Sequence, residues 1–121
     1  MKALVLIDHG SKKKAANDLL FDVVKKVADR SPDLIVEGAH MELAAPSILD
    51  AITRCVERGA THIGAMPYML GPGRHVQEDI PELVEEAANH FKEIEIKMVS
   101  YLGENVPDKL VDVILERATE V

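Results

Sequence analysis

Four short apolar runs, Ala3–Ile7, Leu34–Ala39, Thr61–Met66 and Ile94–Val99, each lead into a longer amphipathic stretch. That alternation constrains the fold more than any other feature of the chain. The first run, Ala3-Leu4-Val5-Leu6-Ile7, is apolar at every position, as in a strand covered on both faces. Ser11 is placed to cap a helix reaching about Arg30, with Ala15, Leu19, Leu20, Val23, Val24 and Val27 at helical spacing. Ser31-Pro32 closes that helix. Pro46 suits the first residue of a helix to Arg58, where Gly59 supplies the stop. After a Pro- and Gly-dense loop from Pro67 to Gly73, Asp79-Ile80-Pro81 opens or interrupts an acidic helix ending near Phe91. A last helix spans about Pro107 to Thr119. Strict strand–helix alternation predicts right-handed crossovers and an α/β fold: one parallel sheet of four strands with helices on both faces, a single βαβαβαβα unit.

The 121 residues fit one domain, 1–121, with no linker or repeat inside it. Apolar residues at 47% and charged residues at 29% are those of a soluble globular chain, and no run approaches a membrane span. The N-terminus lacks a secretory pattern. The single cysteine, Cys55, supports no disulfide framework, zinc finger or cysteine-ligated cluster, so the cytoplasm is the expected compartment. A net charge of −7 and 3% aromatics argue against nucleic-acid binding.

In open parallel sheets, ligands bind beyond the carboxyl ends of the strands. Here those ends lead into Asp8-His9-Gly10-Ser11, His40-Met41-Glu42, Pro67 through His75, and Ser100-Tyr101-Leu102-Gly103. Histidines and a carboxylate thus converge on one edge from three strands. His9, Glu42 and His75 make a nitrogen–nitrogen–oxygen set suited to Fe²⁺, Co²⁺, Ni²⁺ or Zn²⁺. His40 is the reserve ligand, sharing a face with Glu42 if the second strand runs that far. Gly10 permits close backbone approach, and the free N–H groups of the following helix attract anions.

Other residues carry blander readings. Lys12, Lys13 and Lys14 form either a solvated face or an anion clamp. Arg74 pairs with a ligand carboxylate or with Glu78. His62 and His90 read as structural, and Cys55 as a small core residue. A strand followed by His-Gly also occurs in histidine phosphatases, but those carry arginine where this chain has Asp8, which repels phosphate. Gly71–Gly73 lacks the GK[ST] ending of a P-loop.

Three segments carry a more specific resemblance. These are Val5-Leu6-Ile7-Asp8-His9-Gly10-Ser11, Ala39-His40-Met41-Glu42-Leu43-Ala44-Ala45-Pro46-Ser47-Ile48, and Pro67 through Pro81 with its Gly73-Arg74-His75 core. Their order and spacing resemble the class II sirohydrochlorin chelatases, which insert Co²⁺ or Fe²⁺ into sirohydrochlorin in cobalamin or sirohaem synthesis. The resemblance covers nearly the whole chain and implies a chelatase-like unit of the short form, which pairs as a homodimer. It implies His9, Glu42 and His75 as metal ligands, and the chemistry of neutral imidazole leaves either His9 or His75 able to accept a departing pyrrole proton. The divalent metal is then a substrate, with no organic cofactor and no iron–sulfur cluster. Sirohydrochlorin carries eight carboxylates, so local charge must outweigh the acidic whole. Ser11 and Arg74, with Gly10 and Gly73, are the substrate-binding candidates. Alternatives are a nickel chelatase of coenzyme F430 synthesis, a non-catalytic tetrapyrrole or metal carrier, and an unrelated flavodoxin-like signalling domain.

Overall fold

The computed structural model describes residues 1–121. Strands β1 (Lys2–Asp8), β2 (Ile35–His40), β3 (His62–Pro67) and β4 (Glu95–Met98) alternate with helices α1 (Lys14–Arg30), α2 (Ile48–Glu57), α3 (Ile80–Ala88) and α4 (Asp108–Ala118). The strands form one sheet in the order β2-β1-β3-β4, and every pair is parallel. The chain therefore moves outward from β1 to β2, then returns across β1 to β3. The topological switch lies between β1 and β3, and this decides where a ligand crevice forms.

Side-chain alternation divides the core between two faces. Val5, Ile7, Ile63 and Ala65 meet Ala51, Ile52 and Cys55 of α2 and Ile80, Val84 and Ala87 of α3. On the opposite face, Leu6 and Val36 pack on Leu20 of α1. Gly38 lets α1 sit close, since a Cβ there would come within 2.9 Å of the Phe21 ring. Leu19, expected on the buried stripe, faces outward and is 66% exposed, because α1 covers only the β2–β1 half of the sheet. On that same face, the other half of the sheet, β3 and β4, has no helix above it, while α3 covers its opposite face. α4 buries none of its residues. No helix is long and apolar enough to cross a membrane.

Two helix starts differ from the sequence expectation. Ser11 does not cap α1. Its amide donates to Asn17 Oδ1 at 2.9 Å and its carbonyl accepts from Asn17 Nδ2 at 2.8 Å, which holds residues 11–13 outside the helix. Lys12 and Lys13 consequently precede α1, and only Lys14 lies in its first turn. In α2 the cap falls one residue beyond Pro46. Ser47 accepts from the Asp50 amide while Asp50 accepts from the Ser47 amide, a reciprocal box that satisfies two otherwise unpaired donors.

Candidate functional site

At the switch point, β1 ends in Asp8 and the next residue is His9. β3 ends in Pro67, followed by a loop to His75. The two histidine rings meet edge to face, with centroids 4.7 Å apart and planes at 86°. They line a cavity of about 360 Å³ together with Tyr68, Gly71, Gly73 and Val76. His75 is half-buried and His9 is exposed, so one side of the pair stays open to a large ligand.

Backbone hydrogen bonds fix these loops to one another. The Met41 amide donates to the Asp8 carbonyl at 2.8 Å, and the Glu42 amide donates to the His9 carbonyl at 3.1 Å. These two bonds lie just past the end of β2 and set the Glu42 backbone beside His9. Gly10 adopts φ +87°, and a Cβ there would lie 1.9 Å from the Glu42 carbonyl oxygen. Close approach at Gly10 is therefore made by the Glu42 segment. On the other side, the Tyr68 amide donates to the Ile7 carbonyl at 2.7 Å, and the Gly103 amide to the Met69 carbonyl at 3.0 Å. Gly103 is pressed against Leu70 as Gly10 is against Glu42, so the β4–α4 segment buttresses the loop that carries His75.

His75 opens a five-residue π-turn, His75–Asp79, that leads into α3. Pro81 accounts for the widening. It has no N–H for the Gln77 carbonyl, and its ring would clash with that carbonyl in a regular α-helix. Instead the Ile80 amide reaches the His75 carbonyl. Short π segments often occur at functional positions. This one sets His75 Nδ1 2.8 Å from Asp79 Oδ2. The imidazole N–H donates to the carboxylate, which leaves Nε2 as the nitrogen with a free lone pair.

Sequence reasoning passed over Asp79 as an orienting group, although its i,i+4 spacing from His75 within a helical stretch was a usable signal. It also missed Asp8. His40, the reserve ligand, is the last residue of β2 and is fully buried, with Nδ1 2.6 Å from Asp8 Oδ1 and its ring edge-on to Phe21. The strand stops there and residues 41–46 turn, so His40 and Glu42 share no strand face. His40 instead ties β2 to the residue that precedes His9.

The remaining candidates are more loosely arranged. Arg74 is 80% exposed and rests 3.5 Å from Glu78, the blander of its two readings. The Ser11 hydroxyl accepts from the Lys13 amide at 3.0 Å, and its proton stays free to donate. Lys14 is bound to Asp18 at 2.7 Å, and that pairing holds its ammonium above the usual lysine range. His62 and His90 lie away from the His9–His75 edge, His62 against Glu95 at 3.2 Å. Glu42 is tied to His9 through its backbone, and its side chain is exposed. No three His, Cys, Asp or Glu side chains stand close enough together to enclose a metal ion. The arrangement is an open pair of imidazoles, with the Glu42 backbone held beside His9.

Known proteins share this arrangement of chain and fold. The CbiX family model matches residues 3–121. The chain is 40% identical to the chloroplastic sirohydrochlorin ferrochelatase of Arabidopsis thaliana over 94% of its own length and 50% of that protein's. It spans about half the length of that relative, and 44% of the sirohydrochlorin ferrochelatase of Priestia megaterium. It is 30% identical to the sirohydrochlorin cobaltochelatase of Sulfolobus acidocaldarius, covering 98% of this chain and 90% of the relative. Among solved structures, the sirohydrochlorin chelatase SirB of Bacillus subtilis subspecies spizizenii, in complex with cobalt, superposes with TM-score 0.89 at 27% identity. That match covers 99% of this chain and 50% of SirB. A CbiX protein from Marinobacter aquaeolei VT8 shares the fold at TM-score 0.81 and 22% identity, over 99% of this chain and 96% of that one. With nearly every residue inside the family match and the sheet order, switch point and histidine pair arranged as described, this chain belongs to the CbiX family.

Proposed function

We propose that this chain inserts Co²⁺ or Fe²⁺ into sirohydrochlorin, acting in the cytoplasm as a homodimer. The observation that carries the reading is the His9–His75 pair, 4.7 Å apart at the switch point of a CbiX-family sheet. Kinship with both ferrochelatases and cobaltochelatases supports the substrate class and leaves both metals in view.

His9 and His75 bind the incoming ion through neutral imidazole nitrogens, and Glu42 adds a carboxylate from its exposed loop position. That charge lowers the cost of holding a dication. Asp79 fixes which nitrogen of His75 faces the metal. Metallation forms bonds from the ion to the macrocycle nitrogens and releases two pyrrole protons. Each imidazole nitrogen that gives up the ion can accept one of those protons. Because the pair is open, ligands leave one at a time, which suits transfer better than a closed four-ligand site. Gly73 lets the macrocycle approach the loop backbone. Ser11 and Arg74 hold substrate carboxylates, and Gly10 keeps the His9 turn against Glu42.

The test is anaerobic metallation of sirohydrochlorin followed by absorbance, with Co²⁺, Fe²⁺ and Ni²⁺ offered separately. Wild type should exceed the spontaneous rate with Co²⁺ or Fe²⁺, and His9→Ala and His75→Ala should both fall to it. Tetrapyrrole binding without acceleration would show a carrier and overturn the reading.

A further inference from the structure

His75 has Asp79 behind its ring, whereas no side chain hydrogen-bonds the ring of His9, which is exposed. Apart from its edge-to-face contact with His75, His9 takes its direction from the backbone on either side of it. Both of its neighbours bear on one residue, His40. Asp8 is the register partner of His40 across β1 and β2, and Asp8 Oδ1 lies 2.6 Å from the imidazole Nδ1. On the far side of His9, a Cβ on Gly10 would come within 3.0 Å of the His40 Cβ. His40 is itself held from behind. Its amide donates to the Pro46 carbonyl at 2.9 Å, and its ring stands edge to face on Phe21 of α1, with centroids 5.5 Å apart.

We infer that His40 is a positioning residue for His9: through Asp8 and Gly10 it holds the turn that aims His9 at His75. One atom separates this role from packing alone. With Nδ1–H donating to Asp8, Nε2 of His40 is buried with no hydrogen-bond partner. A buried polar atom left unpaired costs stability, and leucine or phenylalanine at the same place would carry no such cost. What the imidazole adds is the bond to Asp8, strengthened by the low polarity around a fully buried ring. An apolar residue there would leave the Asp8 side chain untied, and the residue that follows it would lose its fixed direction. The inference rests on the metal-presenting role of His9 in the proposed function and adds what holds that residue in place.

The experiment compares His40→Leu, His40→Asn, Asp8→Ala and the His40→Leu/Asp8→Ala double variant in the full chain, with two readouts. The first is the NMR shift of the His75 ring protons, which the neighbouring His9 ring displaces; His9→Ala gives their position without it. In His40→Leu and Asp8→Ala these shifts should move toward the His9→Ala values. In His40→Asn, whose amide keeps a donor for Asp8, they should stay near wild type. The second readout is steady-state metallation of sirohydrochlorin. His40→Leu should lower kcat about 10- to 100-fold, as for a misplaced reacting group, with KM for the tetrapyrrole unchanged because His40 is buried. The double variant should fall no further than the single ones, since the same bond is lost in all three. His40→Leu should melt no lower than wild type, so that lost turnover is not lost fold. Wild-type shifts and turnover in His40→Leu overturn the inference. So do equal losses in His40→Asn and His40→Leu, or additive losses in the double variant. If His40→Leu does not fold, the shifts of Asp8→Ala decide. A wild type that does not metallate sirohydrochlorin overturns the chelatase reading alone, and the ring shifts still decide the positioning.

Discussion

His75 Nδ1 lies 2.8 Å from Asp79 Oδ2 across a single π-turn, and Pro81 is the residue that makes the turn wide. The contact turns a flexible imidazole into an oriented one, in a residue that lines the same cavity as His9.

Removing that carboxylate should therefore slow metallation without harming the fold. Asp79→Ala should lower turnover about 10- to 100-fold, the usual cost of losing a partner behind a ligand. Circular dichroism should stay unchanged, because Asp79 is only half-buried. Asp79→Glu should recover part of the loss. Turnover equal to wild type in Asp79→Ala would show that His75 is held by other means.

Arg74 is exposed and its ion pair with Glu78 is long at 3.5 Å, so the guanidinium is free to leave it for a substrate carboxylate. Arg74→Ala should raise the KM for sirohydrochlorin more than it lowers kcat. Steady-state kinetics at fixed metal would check this. The reverse pattern would place Arg74 in the chemical step.

Two glycines with positive φ should respond differently to the same methyl group. At Gly10, φ is +87° and a Cβ would meet the Glu42 carbonyl at 1.9 Å, so the two segments must part. Gly10→Ala should cost about 3 kcal/mol, from strain and lost contacts together. At Gly59, φ is +96° but nothing lies within 4 Å. Gly59→Ala should cost only the backbone strain, roughly 1–2 kcal/mol. Urea denaturation of both variants separates the two effects, and equal losses would refute the close contact at Gly10.

Burial pushes the Cys55 thiol up from 9.0 to about 12, with Glu37 adding to the shift and Arg58 opposing it. At pH 8 the native thiol should resist iodoacetamide, whereas the unfolded chain should react. The folded pKa is the higher one, so the native state holds the proton more tightly. The stability this contributes is complete below pH 9 and is lost as pH rises toward 12. Cys55→Ala should lose stability less steeply over that window, measured by denaturation at pH 8 and pH 10.

The strand–helix alternation makes the fold legible in the sequence itself. Each apolar run from Ala3–Ile7 onward became a strand, and the one that is apolar at every position, Ala3–Ile7, took an interior place in the sheet with core packed on both of its faces. His9 and His75 were legible for a related reason. Residues that follow parallel strands must emerge at one edge, and the order β2-β1-β3-β4 then makes β1 and β3 neighbours. Helix starts were less readable. Ser11 has the chemistry of a cap, but Asn17, six residues on, competes for its backbone, and such pairing depends on geometry rather than residue type.

What the sequence determined by itself was the order of strands and helices, the edge where His9 and His75 gather, and the burial of Cys55, because hydrophobic period and covalent order fix these directly. Tertiary structure alone decided that His40 turns inward to Asp8, that Asp79 backs His75, that Gly10 yields to the Glu42 carbonyl, and that α4 stands away from its own sheet. Each of these depends on which surfaces meet through space, and no spacing along the chain encodes that.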